Sequence, residues 1–122
     1  DFSRSPRMYD GGAAFDHGWA GTMMAEAVVA ATSDADAARW RESLRAAAEW
    51  ALAEPAVRNH NYTAKLVWLL AVVYDLTGEA RWRDGLVDKL ERSLLPGVLM
   101  DADADGVVDG VPGVRFADLV AP

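Results

Sequence analysis

The segment Ala38-Arg39-Trp40-Arg41 recurs as Ala80-Arg81-Trp82-Arg83, 42 residues later, and this repeat constrains the fold more than any other feature of the chain. Each copy opens a helical pattern with a leucine four residues after the tryptophan, Leu44 or Leu86. Each follows an apolar helical pattern and a short polar link, Thr32-Ser33-Asp34 or Thr77-Gly78-Glu79. The entries to the apolar segments also correspond: Asp16-His17-Gly18-Trp19 and Asn59-His60-Asn61-Tyr62, offset by 43. Self-similarity at this period signals tandem helical hairpins that bury their apolar faces by stacking on one another.

Four helices are expected, at about 18–31, 35–53, 61–76 and 80–95. Ser33 with Asp36 resembles a capping box at the start of the second, and Pro55 ends it. Gly78 stops the third, and Pro96-Gly97 stops the fourth. The resulting organisation is a single helical unit: an irregular lead-in over 1–17, hairpin one over 18–54, hairpin two over 59–95, and an acidic loop and tail over 96–122.

The helices differ in kind. The second puts Trp40, Leu44, Ala47, Ala48 and Ala51 on one stripe, and the fourth does the same with Trp82, Leu86, Val87, Leu90 and Leu94. Their remaining faces are charged, so each buries one side only. The third, Tyr62 to Leu76, is apolar nearly all round, and the first carries Glu26 as its one charge after the entry. Such helices are enclosed on most sides. The order is therefore inner, outer, inner, outer, which is the wiring of an all-α, α/α-toroid type of fold. An up-down four-helix bundle is the alternative. Four helices cannot enclose two that are apolar all round, because each exposed Leu- or Trp-sized side chain forgoes roughly 1.5–3 kcal/mol of burial. Either further toroid hairpins or self-association with a second copy is expected to cover the open face. The chain opens on Asp1 rather than Met, so processing or truncation is expected.

Composition excludes some functions. The net charge of −7 argues against nucleic acid, since phosphate binding needs a basic face. It also disfavours an anionic membrane surface, and the longest apolar run, Leu66 to Tyr74, is too short to span a bilayer. There is no cysteine, which removes disulfides and thiolate metal sites.

Alternate helices of a hairpin array are parallel, so the first and third present their N-termini side by side. That end collects Asp16, His17, Trp19, Asn59, His60, Asn61 and Tyr62, with Lys65 one turn in. Both histidines of the chain are among them. Helix N-termini suit carboxylates. A neutral histidine takes a proton near physiological pH, Tyr can return one, and Asn can hydrogen-bond a carboxylate. Together these supply what β-elimination from a uronic acid needs. A purely structural reading uses the same residues otherwise: Asn59 or Asn61 as an N-cap, His60 as half-buried filler, Tyr62 and Trp19 as packing.

Asn59-His60-Asn61-Tyr62 at the head of an inner helix resembles the Asn-His-x-Tyr motif of α/α-toroid polysaccharide lyases of the alginate-lyase type. The link from Tyr74 through Thr77-Gly78-Glu79 to Arg81-Trp82 is similar to one common in toroidal carbohydrate-active enzymes. The resemblance covers about residues 59–95. It implies an acidic polysaccharide as partner, with Asn59 neutralising the uronate carboxylate and His60 abstracting the proton. His17 and Tyr62 are the further catalytic candidates, and Asp16, Trp19, Asn61 and Lys65 the candidates for substrate binding. The family's Tyr and Arg from elsewhere in the toroid have no clear counterpart in this chain, where Tyr9 and Arg7 are near in sequence only. A two-carboxylate hydrolase fits less well, since Asp16 is the one clear carboxylate at that end.

A second chemical signal is Asp101-Ala102-Asp103-Ala104-Asp105-Gly106-Val107-Val108-Asp109. It matches the first nine positions of a calcium loop: Asp101, Asp103 and Asp105, a turn glycine, the Val107 carbonyl and Asp109. Position twelve is Pro112 rather than the bidentate Glu, so the loop resembles the shorter Asp-x-Asp-x-Asp-Gly loops of secreted proteins, with Asp118 available to complete the shell. Structural Ca²⁺ is expected, with a weak extracellular-type affinity of roughly 10⁻⁴–10⁻³ M, which fits an exported protein. The alternative is a solvated acidic turn.

Overall fold

A computed structural model describes residues 12–55 and 60–96. These residues form four helices and no strand: α1 Gly12–Ala30, α2 Asp34–Ala53, α3 His60–Thr77 and α4 Ala80–Lys89. α4 continues as a π-helical turn, Leu90–Leu94. The all-α expectation holds. No described helix is long and apolar enough to cross a membrane.

The two links do what their residues dictate. Ser33 is extended (φ −127°, ψ 143°), and its hydroxyl accepts from the Asp36 N–H at 3.2 Å. The same hydroxyl donates to Asp36 Oδ2 at 3.0 Å, so the cap is locked from both sides. At the second link Gly78 takes φ +68°, a conformation that costs glycine little, and its N–H donates to the Tyr74 carbonyl at 2.8 Å. The Thr77 hydroxyl donates to the Val73 carbonyl and accepts from the Glu79 N–H. The Thr-Gly-Glu string is thus a helix stop.

Helix directions follow from side-chain pairings. Phe15 meets Tyr62 and Gly18 meets Lys65, so α1 and α3 run parallel. Arg81 pairs with Glu49, and Lys89 with the Glu54 carbonyl, so α2 and α4 run parallel too. α1 packs more extensively on α3 than any other two helices pack on each other, and α1 and α4 are not packed together. An up-down bundle would do the reverse, setting α1 and α3 on a diagonal and pairing α4 with α1. The observed arrangement is two layers, α1 and α3 against α2 and α4.

The core is centred on α3. Leu66, Leu69 and Leu70 are fully buried, and Val73 nearly so, against Ala14, Ala25 and Val28 of α1, Leu44, Ala48 and Ala51 of α2, and Trp82 of α4. Because α3 touches all three other helices, it needs an apolar surface over most of its circumference. Small residues let the neighbours approach. A methyl added at Gly18 would lie 2.6 Å from Lys65 Cβ and 2.7 Å from its backbone carbonyl.

Three expectations are corrected. α1 starts at Gly12, not Gly18, so the lead-in ends before residue 12 and Asp16 and His17 lie within the helix. Ala14 is completely buried and Phe15 packs on Tyr62, and that burial extends the helix past the point where the sequence pattern weakens. α4 is regular only to Lys89, after which one π turn brings Ser93 inward. The recurring tryptophans are not equivalent: Trp82 is fully buried, whereas Trp40 is half-buried at the edge of the core. α3 is enclosed on most sides, and its open strip, where Trp68 and Leu76 are exposed, defines the site.

Candidate ligand-binding face

The inner layer keeps one side open. Trp19 (46% exposed), Met23 and Val29 of α1, with Trp68 (43% exposed) and Leu76 of α3, form an apolar stripe along the seam between the two helices. The register explains it. Phe15–Tyr62 and Gly18–Lys65 share an offset of 47, one helical turn more than the sequence repeat. Trp19 and Trp68 therefore lie edge to face across the seam, 6.1 Å between ring centroids and 80° between planes.

Lys65 is the polar centre of this end. Its Nζ lies 4.4 Å from the Trp19 centroid, 4.8 Å from Trp68 and 5.5 Å from Phe15. Phe15 stacks nearly parallel to Trp19 at 6.2 Å and leans on Tyr62 at 5.4 Å. The ammonium is thus held by three aromatic faces, each such contact worth about 0.5–1 kcal/mol at an exposed site. Further along the seam is a groove of about 350 Å³, lined by Thr22, Met23, Glu26, Val29, Trp68, Val72, Asp75 and Leu76 among others. Its charged residues are Glu26 from one wall and Asp75 from the other, and neither is in an ion pair among the described residues. A smaller cavity of 290 Å³ lies on the outer side, between Arg41, Leu44, Arg45, Val73 and Trp82. There Arg45 is already engaged by Glu79 at 2.9 Å.

Of the residues singled out from the sequence, Trp19 and Lys65 come together, with Tyr62 joined to them through Phe15. Asp16 and Asn61 are exposed near the same end of the two inner helices. The histidines diverge. His17 stacks on Trp50 of α2 at 4.2 Å, and is turned about 200° around α1 from Trp19. His60 is the first residue of α3 and half-buried, about 140° around that helix from Lys65. Neither shares the Lys65 face. Asn59 and the acidic loop Asp101, Asp103, Asp105, Val107 and Asp109 lie outside the described residues. Among the described residues no group of three His, Asp or Glu side chains is placed to hold a metal ion.

Sequence reasoning treated the third helix as enclosed on most sides and did not single out Phe15, Met23, Trp68, Val72 or Asp75 as site residues. A signal was present. The charged residues of α3, Lys65 and Asp75, stand with Asn61 on one side of the helix, as their spacing of four and ten places them. That side is the wet one, and Trp68 and Val72 lie on it.

Elsewhere in the fold, Lys89 is buried, and its ammonium donates to the Glu54 carbonyl at 2.5 Å, closing the end of α2. Burial pushes its pKa below the usual lysine value, with the charges of Glu54 and Asp88 opposing. Arg81 lies over Trp82 at 3.8 Å and pairs with Glu49 and Glu79, which ties the second Arg-Trp-Arg motif to the α2 surface rather than to any ligand.

No family model, curated protein or solved structure matches the chain.

Proposed function

We propose that this chain is part of a carbohydrate-active protein of the α/α-toroid type, and that the Lys65 end of its inner-helix face binds an acidic sugar. The observation that carries the reading is an ammonium flanked by two half-exposed tryptophans on parallel inner helices. Tryptophan faces stack on the apolar face of a pyranose and bury large area at little entropic cost. A lysine beside them pairs with a carboxylate, and the low-dielectric rings around it strengthen that attraction over its value in water. The inner-outer helix order and the resemblance of Asn59-His60-Asn61-Tyr62 to a lyase motif support the same class. In the enzymatic form of the proposal, a base removes the proton next to the uronate carboxylate. The electron pair of that C–H bond becomes the new C=C bond, the C–O bond to the neighbouring sugar breaks with its pair leaving on the oxygen, and that oxygen takes a proton. By the resemblance His60 is that base and Asn59 holds the carboxylate of the sugar that is cleaved; His60 lies off the Lys65 face, so the acidic sugar held at Lys65 is a neighbouring unit of the polymer.

The test is a binding titration, read by tryptophan fluorescence, with an oligouronate and a neutral oligosaccharide of equal length. The oligouronate is expected to bind at least tenfold tighter, and Lys65→Met to abolish the difference. Equal binding of both sugars, or of neither, would refute the assignment. Incubation with a polyuronate, followed by the ultraviolet absorbance of unsaturated ends, tests the reaction: His60→Ala is expected to remove that signal while sugar binding remains.

A further inference from the structure

The open face is not only apolar; its charges are ordered along it. Lys65 stands at one end, level with Gly18. Glu26 lies eight residues beyond Gly18 and Asp75 ten beyond Lys65, which puts the two carboxylates about 12–15 Å from the lysine along the helix axes. Between them the seam is Trp19, Met23, Trp68 and Val72, all half-buried or exposed.

We infer that this face closes on a second copy of the chain, antiparallel, with Lys65 of each copy opposite Glu26 and Asp75 of the other. A two-fold axis perpendicular to the helices and passing near Met23 and Val72 achieves both contacts at once, as an isologous interface requires. The other symmetric arrangement, with the axis along the helices, sets lysine on lysine and carboxylate on carboxylate, and like-charge juxtaposition is strongly unfavourable. The antiparallel arrangement also covers Trp19, Met23, Trp68 and Leu76, four of the large apolar side chains exposed among the described residues.

Size sets the strength. α1 is about 28 Å long and the two-helix face about 20 Å wide, a footprint of about 500–600 Å² per copy. That is below the roughly 800 Å² per partner of a standard stable interface, and each copy carries a net charge of −7. The dimer is accordingly one that forms with concentration, in the micromolar range or weaker, in buffer near 0.15 M salt where the Debye length is about 8 Å and distant charges are screened. The inference goes beyond the sugar-binding reading and stands without it. The two uses share Trp19 and Trp68, so a bound oligouronate displaces the second copy.

The test is sedimentation equilibrium across a concentration series, without sugar, on three proteins: the unaltered chain, Lys65→Glu, and the double variant Glu26→Lys with Asp75→Lys. The unaltered chain is expected to dimerise, and each variant alone to weaken the dimer by about ten- to a hundredfold. Mixed in equal amounts, the two variants are expected to restore it. At one end of the mixed dimer the carboxylate introduced at position 65 faces the two introduced ammonium groups. At the other end the Lys65 retained by the double variant faces the Glu26 and Asp75 retained by its partner. Far-ultraviolet circular dichroism of each protein checks that the helices are intact. The double variant alters exposed side chains only, so loss of its dimer reads the interface even where Lys65→Glu disturbs the aromatic cluster. An unaltered chain that stays monomeric overturns the inference, as do variants that dimerise like it or a mixture that stays monomeric. Failure to bind an oligouronate leaves this result untouched.

Discussion

Replacing Gly18 with alanine places a methyl carbon 2.6 Å from Lys65 Cβ and 2.7 Å from the Lys65 carbonyl carbon and oxygen. Carbon pairs are comfortable at about 3.5–4.0 Å, so the overlap is on the order of 1 Å. Two of the three atoms are backbone in the middle of α3 and cannot swing aside, so the two inner helices must part. A gap of that size forfeits a quarter to a half of the local dispersion energy, and it opens beside Leu66 and Leu69, both fully buried. Overpacking of this kind costs about 1–3 kcal/mol. The gain from replacing glycine inside a helix, up to about 1 kcal/mol, offsets part of it. The expected net loss is about 1–2 kcal/mol, a fall in Tm of roughly 4–12 °C for a domain of this size, read by urea and thermal unfolding with circular dichroism. Gly85→Ala is the control. Its added methyl meets only the tip of the half-buried Leu52 side chain, with the next atom at 3.6 Å, so a rotamer change makes room. That variant is expected to lie within about 1 kcal/mol of the unaltered chain. A Gly18→Ala protein as stable as the original, or a Gly85→Ala protein destabilised as much as Gly18→Ala, would refute the close-packed seam.

Other consequences follow from single residues. Trp82→Ala is expected to cost about 3–5 kcal/mol, since the ring is fully buried in the core; Trp82→Phe should cost clearly less, because the buried Nε1 it removes has no acceptor among the described residues. Lys89 gives a pH signature. Its pKa is lowered in the folded state, so the unfolded chain binds more protons between the folded value and about 10.5, and stability should rise with pH across that alkaline window. Lys89→Met should flatten that rise in a urea-unfolding series, and an unchanged slope would exclude Lys89 as its source. Calcium is expected to raise the thermal midpoint, EDTA to reverse it, and Asp103→Asn with Asp105→Asn to abolish the response; an identical midpoint with and without EDTA would remove the ion from the account.

Much of the fold was legible because local and periodic signals agreed. Ser33 with Asp36 and Gly78 each encode a boundary by their own chemistry, and both boundaries lie within a residue of where the sequence put them. The contrast between one-sided and all-round apolar helices gave the two layers, because the number of neighbours a helix has sets how much of its surface must avoid water. What failed depended on contacts distant in sequence. Nothing local says that Gly12 to His17 is helical; the burial of Ala14 and the contact of Phe15 with Tyr62 decide it. Likewise the two Arg-Trp-Arg copies read alike, yet one tryptophan is buried and the other half-exposed, because α4 packs on α3 while α2 is shared between α1 and α3.

The site was harder to read for a reason that lies in the register. Matching Asp16-His17 to Asn59-His60 assumed that equivalent sequence positions sit side by side. The helices are instead offset by a further turn, since Gly18 admits the Lys65 backbone and fixes the pairing there. That shift moves the two histidines out of line and brings Trp19 and Trp68 together over Lys65. A helix packed on several neighbours is apolar where it meets them, so its few charged residues report the side that has none. In α1 that residue beyond the first turns is Glu26, and in α3 they are Lys65 and Asp75, and all three flank one seam. Had these charges been scattered around both helices, the open side would have no electrostatic pattern for a ligand or a second copy to read. Their alignment makes it a surface with polarity as well as greasiness, and polarity is what allows a partner's direction to be specified.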